Sequence, residues 1–384
     1  MTTTTTKEGV TGHQARGGHA MPRHRAIYED LLGQIQSGKY KPGERLPSEA
    51  VLCERFDASR ITVAKALQTL QQEQLVTRRP GSGTYVQAPP ATETSLQFGL
   101  LIPDLGTTDI FEQICQGIMR SPAAKSHSLT WGHSTAQESD KEEAAEQLCR
   151  QYIAQKVDGV FFAPTEYTQT KDAANHQMVA LLGAAGIPIV LLDRCLMRYP
   201  DRSNYDLVGI DNHRAGYIVT RHLLQAGASR IIFALRQNSA PTVEARAAGY
   251  RDALMHSVGK DPGVEISGDF DDPAYVEAML KSERPDGIVC SNDLTAARLM
   301  KTIVGLGWNV PGNIRMAGFD DVSYAKFLPT PLTTIRQDCG EIGNVAMTTM
   351  LERLRHPHQP VRDVLVRTEL IVRRSSGTVR ESEE

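Results

Sequence analysis

Residues 45–86 read RLPSEAVLCERFDASRITVAKALQTLQQEQLVTRRPGSGTYV. Leu46-Pro47-Ser48-Glu49 is a helix start, with Ser48 able to cap orphan N–H groups and Glu49 in the positive first turn. Val51, Leu52 and Phe56 follow at helical spacing. Asp57-Ala58-Ser59 interrupts that helix. Ser59 can cap a second one, whose buried face reads as Ile61, Val63, Ala66, Leu67 and Leu70. Two short helices joined by a tight turn form a helix-turn-helix, in which the second helix points its N-terminal residues at base edges in the major groove of DNA. Ser59, Arg60, Thr62 and Lys65 hold those positions. Leu75-Val76-Thr77 and Thr84-Tyr85-Val86 then read as strands flanking Arg78-Arg79-Pro80-Gly81-Ser82-Gly83. Gly81 and Gly83 let the hairpin tip approach another backbone closely, and Arg78 sits where a phosphate or minor groove would be. The stretch predicts a winged head that contacts DNA.

Upstream, Ile27, Leu31, Leu32 and Ile35 recur at helical spacing and supply the head's first helix. Residues 22–87 carry ten Lys and Arg against seven Asp and Glu, while the leader of residues 1–21 adds one positive charge. With an overall charge of −3, the rest of the chain is left at −7. A basic small domain joined to an acidic large one suits a chain of which one part touches phosphates.

Residues 22–87 resemble the winged helix-turn-helix of the GntR family of bacterial transcription regulators. The resemblance rests on Pro42-Gly43-Glu44-Arg45-Leu46-Pro47-Ser48-Glu49, Ser59-Arg60, Thr62-Val63 and Gly81-Ser82-Gly83-Thr84-Tyr85-Val86. It implies that Arg45, Ser48, Glu49, Arg60, Thr62 and Gly81 lie at the DNA surface. Ala64 stands where that family usually carries a base-reading arginine, so the operator sequence is not transferable and Lys65 is the nearby substitute.

Residues 88–95 hold two prolines and no apolar periodicity, and read as a linker. From Leu96 short apolar strands alternate with amphipathic helices. Nine strands are expected, the first at 97–102 and the last at 314–317, with helices between them and a further one over 338–354. Regular β-α alternation predicts an α/β fold with parallel sheets, and nine strands over this length fit two lobes better than one sheet. Residues 96–384 are therefore expected to form a two-lobed domain. Ligands in such folds sit outside the carboxyl ends of strands, in loops such as Asp193-Arg194, Ser291-Asn292-Asp293 and Gly318-Phe319-Asp320-Asp321.

Those loops carry a second resemblance, spanning about residues 96–375, to the effector domain of LacI/GalR regulators, which is itself similar to periplasmic sugar-binding proteins. Its motifs are Gly209-Ile210-Asp211-Asn212, Arg246-Ala247-Ala248-Gly249-Tyr250, Cys290-Ser291-Asn292-Asp293, Ala317-Gly318-Phe319-Asp320-Asp321 and Pro331-Leu332-Thr333-Thr334-Ile335-Arg336-Gln337. The resemblance implies that Arg246, Asn292 and Asp320 hydrogen-bond sugar hydroxyls. Asp193 and Gln337 would add polar contacts and Phe270 a stacking ring, with Asp104 and Phe111 as wall residues of the first lobe. The chemistry is consistent, since carboxylates, an amide, a guanidinium and an aromatic plate match a molecule with many hydroxyls and an apolar ring face.

Enzymatic readings find little. Ser323-Tyr324-Ala325-Lys326 matches S-x-x-K without a companion K-T-G, and there is no P-loop, no H-E-x-x-H and no Rossmann fingerprint. Six scattered cysteines show no metal-ligand spacing and suit a reducing cytoplasm, and no run is apolar enough to span a membrane. The sequence therefore predicts a cytoplasmic, cofactor-free, non-enzymatic regulator. It would be a homodimer that binds double-stranded operator DNA and is released by a small carbohydrate, a pentose such as arabinose. A purine effector, or a sugar sensor that no longer reads DNA, are the alternatives.

Overall fold

The computed structural model describes residues 23–73, 75–79, 81–87, 95–102, 109–132, 141–258 and 263–377. The expected leader, Asp104 and the linker up to residue 94 lie outside the described residues. The chain divides into two compact units, with the boundary between Thr94 and Ser95.

The smaller unit packs α1 (Arg23–Gln36), α2 (Glu49–Phe56) and α3 (Arg60–Gln72) against a hairpin of β1 (Val76–Arg79) and β2 (Gly83–Val86). Ile27, Leu31, Leu52, Val63, Ala66, Leu67 and Leu70 fill its core. The turn between α2 and α3 is tight because Asp57 adopts a left-handed conformation, φ 44°, and closes α2 through its own backbone N–H. One expectation fails here. Ile61, read as part of the buried face of α3, is 83% exposed. At 100° per residue it lies opposite Val63, Ala66, Leu67 and Leu70, so the core stripe of α3 begins at Val63.

The larger unit is α/β with two parallel sheets, as its alternation predicts. The first lobe is built from β3 (Gln97–Leu101), α4 (Asp109–Arg120), β4 (Ser128–Trp131), α5 (Lys141–Gln155), β5 (Gly159–Phe162), α6 (Lys171–Ala184), β6 (Ile189–Leu192) and β7 (Asp206–Ile210). The second takes α7 (Asn212–Gln225), β8 (Ile231–Leu235), α8 (Pro241–Val258), β9 (Val264–Ser267), α9 (Pro273–Glu283), β10 (Gly287–Cys290), α10 (Asp293–Gly305), β11 (Arg315–Asp320) and β12 (Thr333–Gln337). The chain then returns to the first lobe with α11 (Cys339–Arg355) and β13 (Asp363–Val366), and ends its last crossing with β14 (Thr368–Ile371) in the second.

Strand order is β13-β7-β6-β5-β3-β4 in the first sheet and β14-β12-β11-β10-β8-β9 in the second. Only β14 runs antiparallel to its neighbour. The inner strands β5, β6 and β10 are buried along their whole length, which is why they read as unbroken apolar runs. The chain crosses between lobes three times, just after β7, between β12 and α11, and between β13 and β14. No helix among the described residues is long and apolar enough to cross a membrane.

Helices α7 and α8 meet at glycines. A Cβ on Gly216 would overlap the carbonyl oxygen of Arg246, and one on Gly249 would overlap that of His213. Only hydrogen fits at either position, and the contact fixes the turn of α8 from which Arg246 projects.

Candidate DNA-reading surface and effector cleft

Both serines expected to start helices do so. Ser48 Oγ accepts from the Val51 amide at 3.4 Å, and Ser59 Oγ accepts from the Thr62 amide at 3.3 Å and pairs with the Thr62 hydroxyl at 2.9 Å. Arg45 forms a bridge to Tyr85, and Leu46 donates to Thr84 at 2.9 Å, so this segment adds a third edge to the wing. Gly83, at φ 123°, leaves the room that the Arg45 guanidinium fills. Arg45, Ser48, Glu49, Arg78, Gly81 and Gly83 line one open groove between the wing and the start of α2.

Charge is distributed unevenly across this unit. Arg25 pairs with Glu29, Arg55 with Asp30, and Arg78 with Glu49. Arg45, Arg60 and Lys65 are exposed and have no acidic partner among the described residues. These three cations are thus available to phosphates, whereas Arg78 is engaged by a carboxylate that DNA would have to displace.

In the larger unit, the ends of β6, β11 and β12 bring Asp193, Asp320 and Gln337 together with Arg246. Arg246 is buried and donates from Nε to Asn212 Oδ1 at 2.8 Å and from Nη1 to the Ser291 carbonyl at 2.7 Å. Its Nη2 reaches Asp320 Oδ1 at 3.4 Å, and its guanidinium lies 4.6 Å from the Phe319 ring centroid. Gln337 Nε2 donates to the same Asp320 oxygen at 2.7 Å. Asp193 belongs to the first lobe, sits at φ 62° and is 4% exposed. Burial pushes its carboxyl above the usual range and Asp320 adds to the rise, while Arg194 and Arg246 oppose it.

Asn292 caps α10, its Oδ1 accepting from the Thr295 amide at 2.8 Å, and its Nδ2 donates across the lobes to the Tyr167 hydroxyl at 3.2 Å. Tyr167 was not among the expected residues. Its backbone N–H donates to the Asn238 carbonyl at 2.8 Å, and its ring lies 4.1 Å beneath the Arg236 guanidinium. Its neighbour Glu166 binds Arg194 and also accepts from the Ala240 amide of the second lobe at 3.3 Å. Both expected aromatic residues pack into hydrophobic core clusters. Phe270 is 3% exposed among Val276, Met279 and Leu280, edge-on to Tyr275, and Phe111 is fully buried with the Arg194 guanidinium 4.9 Å from its centroid. Phe270, just past β9, and Phe111, in the first turn of α4, are both buried because an apolar ring gains by leaving water.

A winged head with exposed cations free of acidic partners among the described residues, followed by a two-lobed domain with a polar cleft, is the architecture of a transcription regulator. Residues 23–86 match bacterial regulatory proteins of the gntR family, and residues 220–376 match the periplasmic binding protein-like domain. The chain is 28% identical over 369 residues to the arabinose metabolism transcriptional repressor of Geobacillus stearothermophilus, covering 94% of this chain and 99% of that one. It is 27% identical over 232 residues to the HTH-type transcriptional repressor PurR of Haemophilus influenzae, covering 58% of this chain and 66% of that one. The transcription regulator GntR from Chromobacterium violaceum superposes with a TM-score of 0.59 at 26% identity, covering 73% of this chain and 100% of that one. CcpA of Lactococcus lactis shares the fold, with a TM-score of 0.62 at 19% identity over 73% of this chain and 99% of that one. The chain thus carries a gntR-type match over its head and a periplasmic-binding-protein-like match in its larger unit, whose two-lobed fold the CcpA structure shares.

Proposed function

We propose that the chain is a sugar-responsive repressor, with residues 22–87 reading operator DNA and residues 96–384 binding a small polyhydroxylated effector. The observation that carries the ligand class is a set of unmet buried atoms. Asp193 Oδ1, Gln337 Oε1 and Thr165 Oγ1 make no hydrogen bond among the described residues. An unpaired buried polar atom costs about 1–3 kcal/mol, so a molecule that brings several hydroxyl donors into the cleft recovers that cost. Asp193, Arg246, Asn292, Asp320 and Gln337 are the proposed contacts. The full-length similarity to an arabinose metabolism repressor supports a pentose.

The effector acts by favouring one lobe arrangement over another, and a homodimer couples that choice to operator affinity. The test is the thermal midpoint of the purified chain against pentoses, hexoses, sugar phosphates and purines, because a ligand selective for the native state raises it by mass action. A pentose shift that Arg246→Ala removes is the expected result. Shifts with purines alone would replace the ligand class, and no shift with any compound would reject the effector assignment.

A further inference from the structure

On one face of α3 the side chains of Ile61, Lys65, Gln68 and Gln72 follow one another at intervals of four, three and four residues, and all four are exposed. At 100° per residue they form a single stripe diametrically opposite the core stripe of Val63, Ala66, Leu67 and Leu70. Three members of the outer stripe are polar. The fourth, Ile61, is 83% exposed, more than any other large apolar side chain among the described residues. It stands in the first turn between Arg60 and Thr62, with Ser59 capping the helix beside it.

We propose that Ile61 reads a thymine methyl in the operator, which rests on the reading of α3 as the helix that enters the major groove. In that groove thymine is the base that presents an apolar group, its C5 methyl, while the other base edges offer donors and acceptors. An aliphatic side chain on the outer face of the recognition helix has one apolar partner there. The surroundings favour DNA over a protein partner, because Arg60 and Lys65 flank Ile61 as exposed cations without acidic partners among the described residues. A protein-docking patch would be expected to surround it with further apolar surface.

The full chain is used to select from duplexes carrying a randomised core, and each thymine of the enriched site is then replaced singly by uracil, which removes only the methyl. Wild-type protein should lose about fourfold in affinity at the thymine under Ile61, the value of one buried methyl, and Ile61→Ala should show no loss there. Ile61→Val, which keeps a branched apolar tip, should retain most of the discrimination. Equal responses of wild type and Ile61→Ala at every thymine would overturn the proposal. Enrichment of no sequence at all would instead reject α3 as a reading helix, and the proposal with it. Because Ile61 is outside the core, Ile61→Ala should keep the wild-type thermal midpoint, and a lowered midpoint would identify the residue as structural.

Discussion

The Tyr167 hydroxyl of the first lobe accepts a hydrogen bond at 3.2 Å from the side-chain amide of Asn292, 125 residues further along, in the second. The contact ties a proposed effector ligand directly to the relative position of the two lobes. Tyr167 is held in a left-handed backbone conformation, φ 70°, which a bulky residue adopts only where its surroundings dictate it. Burial keeps its phenol protonated well above the ordinary tyrosine range. Tyr167→Phe should weaken effector binding by about fivefold, the value of one net hydrogen bond of about 1 kcal/mol. Tyr167→Ala should cost more, since it also removes the ring beneath Arg236. Calorimetric titration with the effector found in the thermal screen checks this, and unchanged affinity in both variants would remove Tyr167 from lobe closure.

Gly249 faces the His213 carbonyl across the contact of α7 and α8. Gly249→Ala should force those helices apart and destabilise the larger unit by about 1–3 kcal/mol, as overpacking does. Arg246 lies one turn earlier on the same helix, so effector affinity should fall with stability. Urea unfolding followed beside effector titration reads both quantities. A stable variant with wild-type affinity would show that the helices tolerate a wider spacing.

Asp293 is fully buried beneath the cleft, accepting from the Thr334 hydroxyl at 2.7 Å and from the Val322 amide at 3.2 Å. Burial above all, with Asp320 adding to it, holds its carboxyl well above the ordinary value of 3.8. The folded state therefore keeps a proton that the unfolded chain releases. The stability this group contributes is complete below that ordinary value and is lost as pH rises through the raised folded value. Asp293→Asn imitates the protonated acid and removes that dependence. Relative to wild type, its thermal midpoint should rise as pH is raised above about 4. Parallel melting curves for the two proteins would show that Asp293 does not titrate in this window.

Arg45 and Arg60 are exposed cations without acidic partners among the described residues. Arg60→Ala should abolish preference for the selected operator, because the arginine opens the recognition helix. Arg45→Ala should weaken binding to all duplexes alike and lower the slope of log affinity against log salt by about 1. Effector binding should be unaltered in both. Salt-titrated anisotropy separates these outcomes, and an unchanged operator affinity in Arg60→Ala would remove α3 from base reading.

The head was legible from local chemistry. Ser48 and Ser59 announce helix starts because a cap acts within three residues, and the wing glycines mark a left-handed backbone at Gly81 and, at Gly83, space that the Arg45 guanidinium occupies. Ile61 was misread because an apolar residue two places before Val63 looks like core until the helix is given its true phase. In the larger unit the inner strands are apolar throughout and identify themselves. Strands β12, β13 and β14 escaped notice because β12 and β14 interleave Arg336 and Glu369 with apolar residues, β13 and β14 are parted by Arg367 alone, and β13 and β14 pair with strands distant in sequence. Tyr167 escaped for a related reason. Nothing local distinguishes a loop tyrosine that spans two lobes from one that does not, since its partners Arg236 and Asn292 are set by the fold.

The three crossings between lobes bear on how the molecule is made. The first lobe lacks α11 and β13, and the second lacks β14, until nearly all of the chain has left the ribosome. Neither sheet can be completed earlier, whereas the head depends on residues synthesised at the outset. A nascent chain can thus present a finished DNA-binding head while both sheets of the larger unit are still incomplete. The larger unit is completed last, with β14 closing the edge of the second sheet.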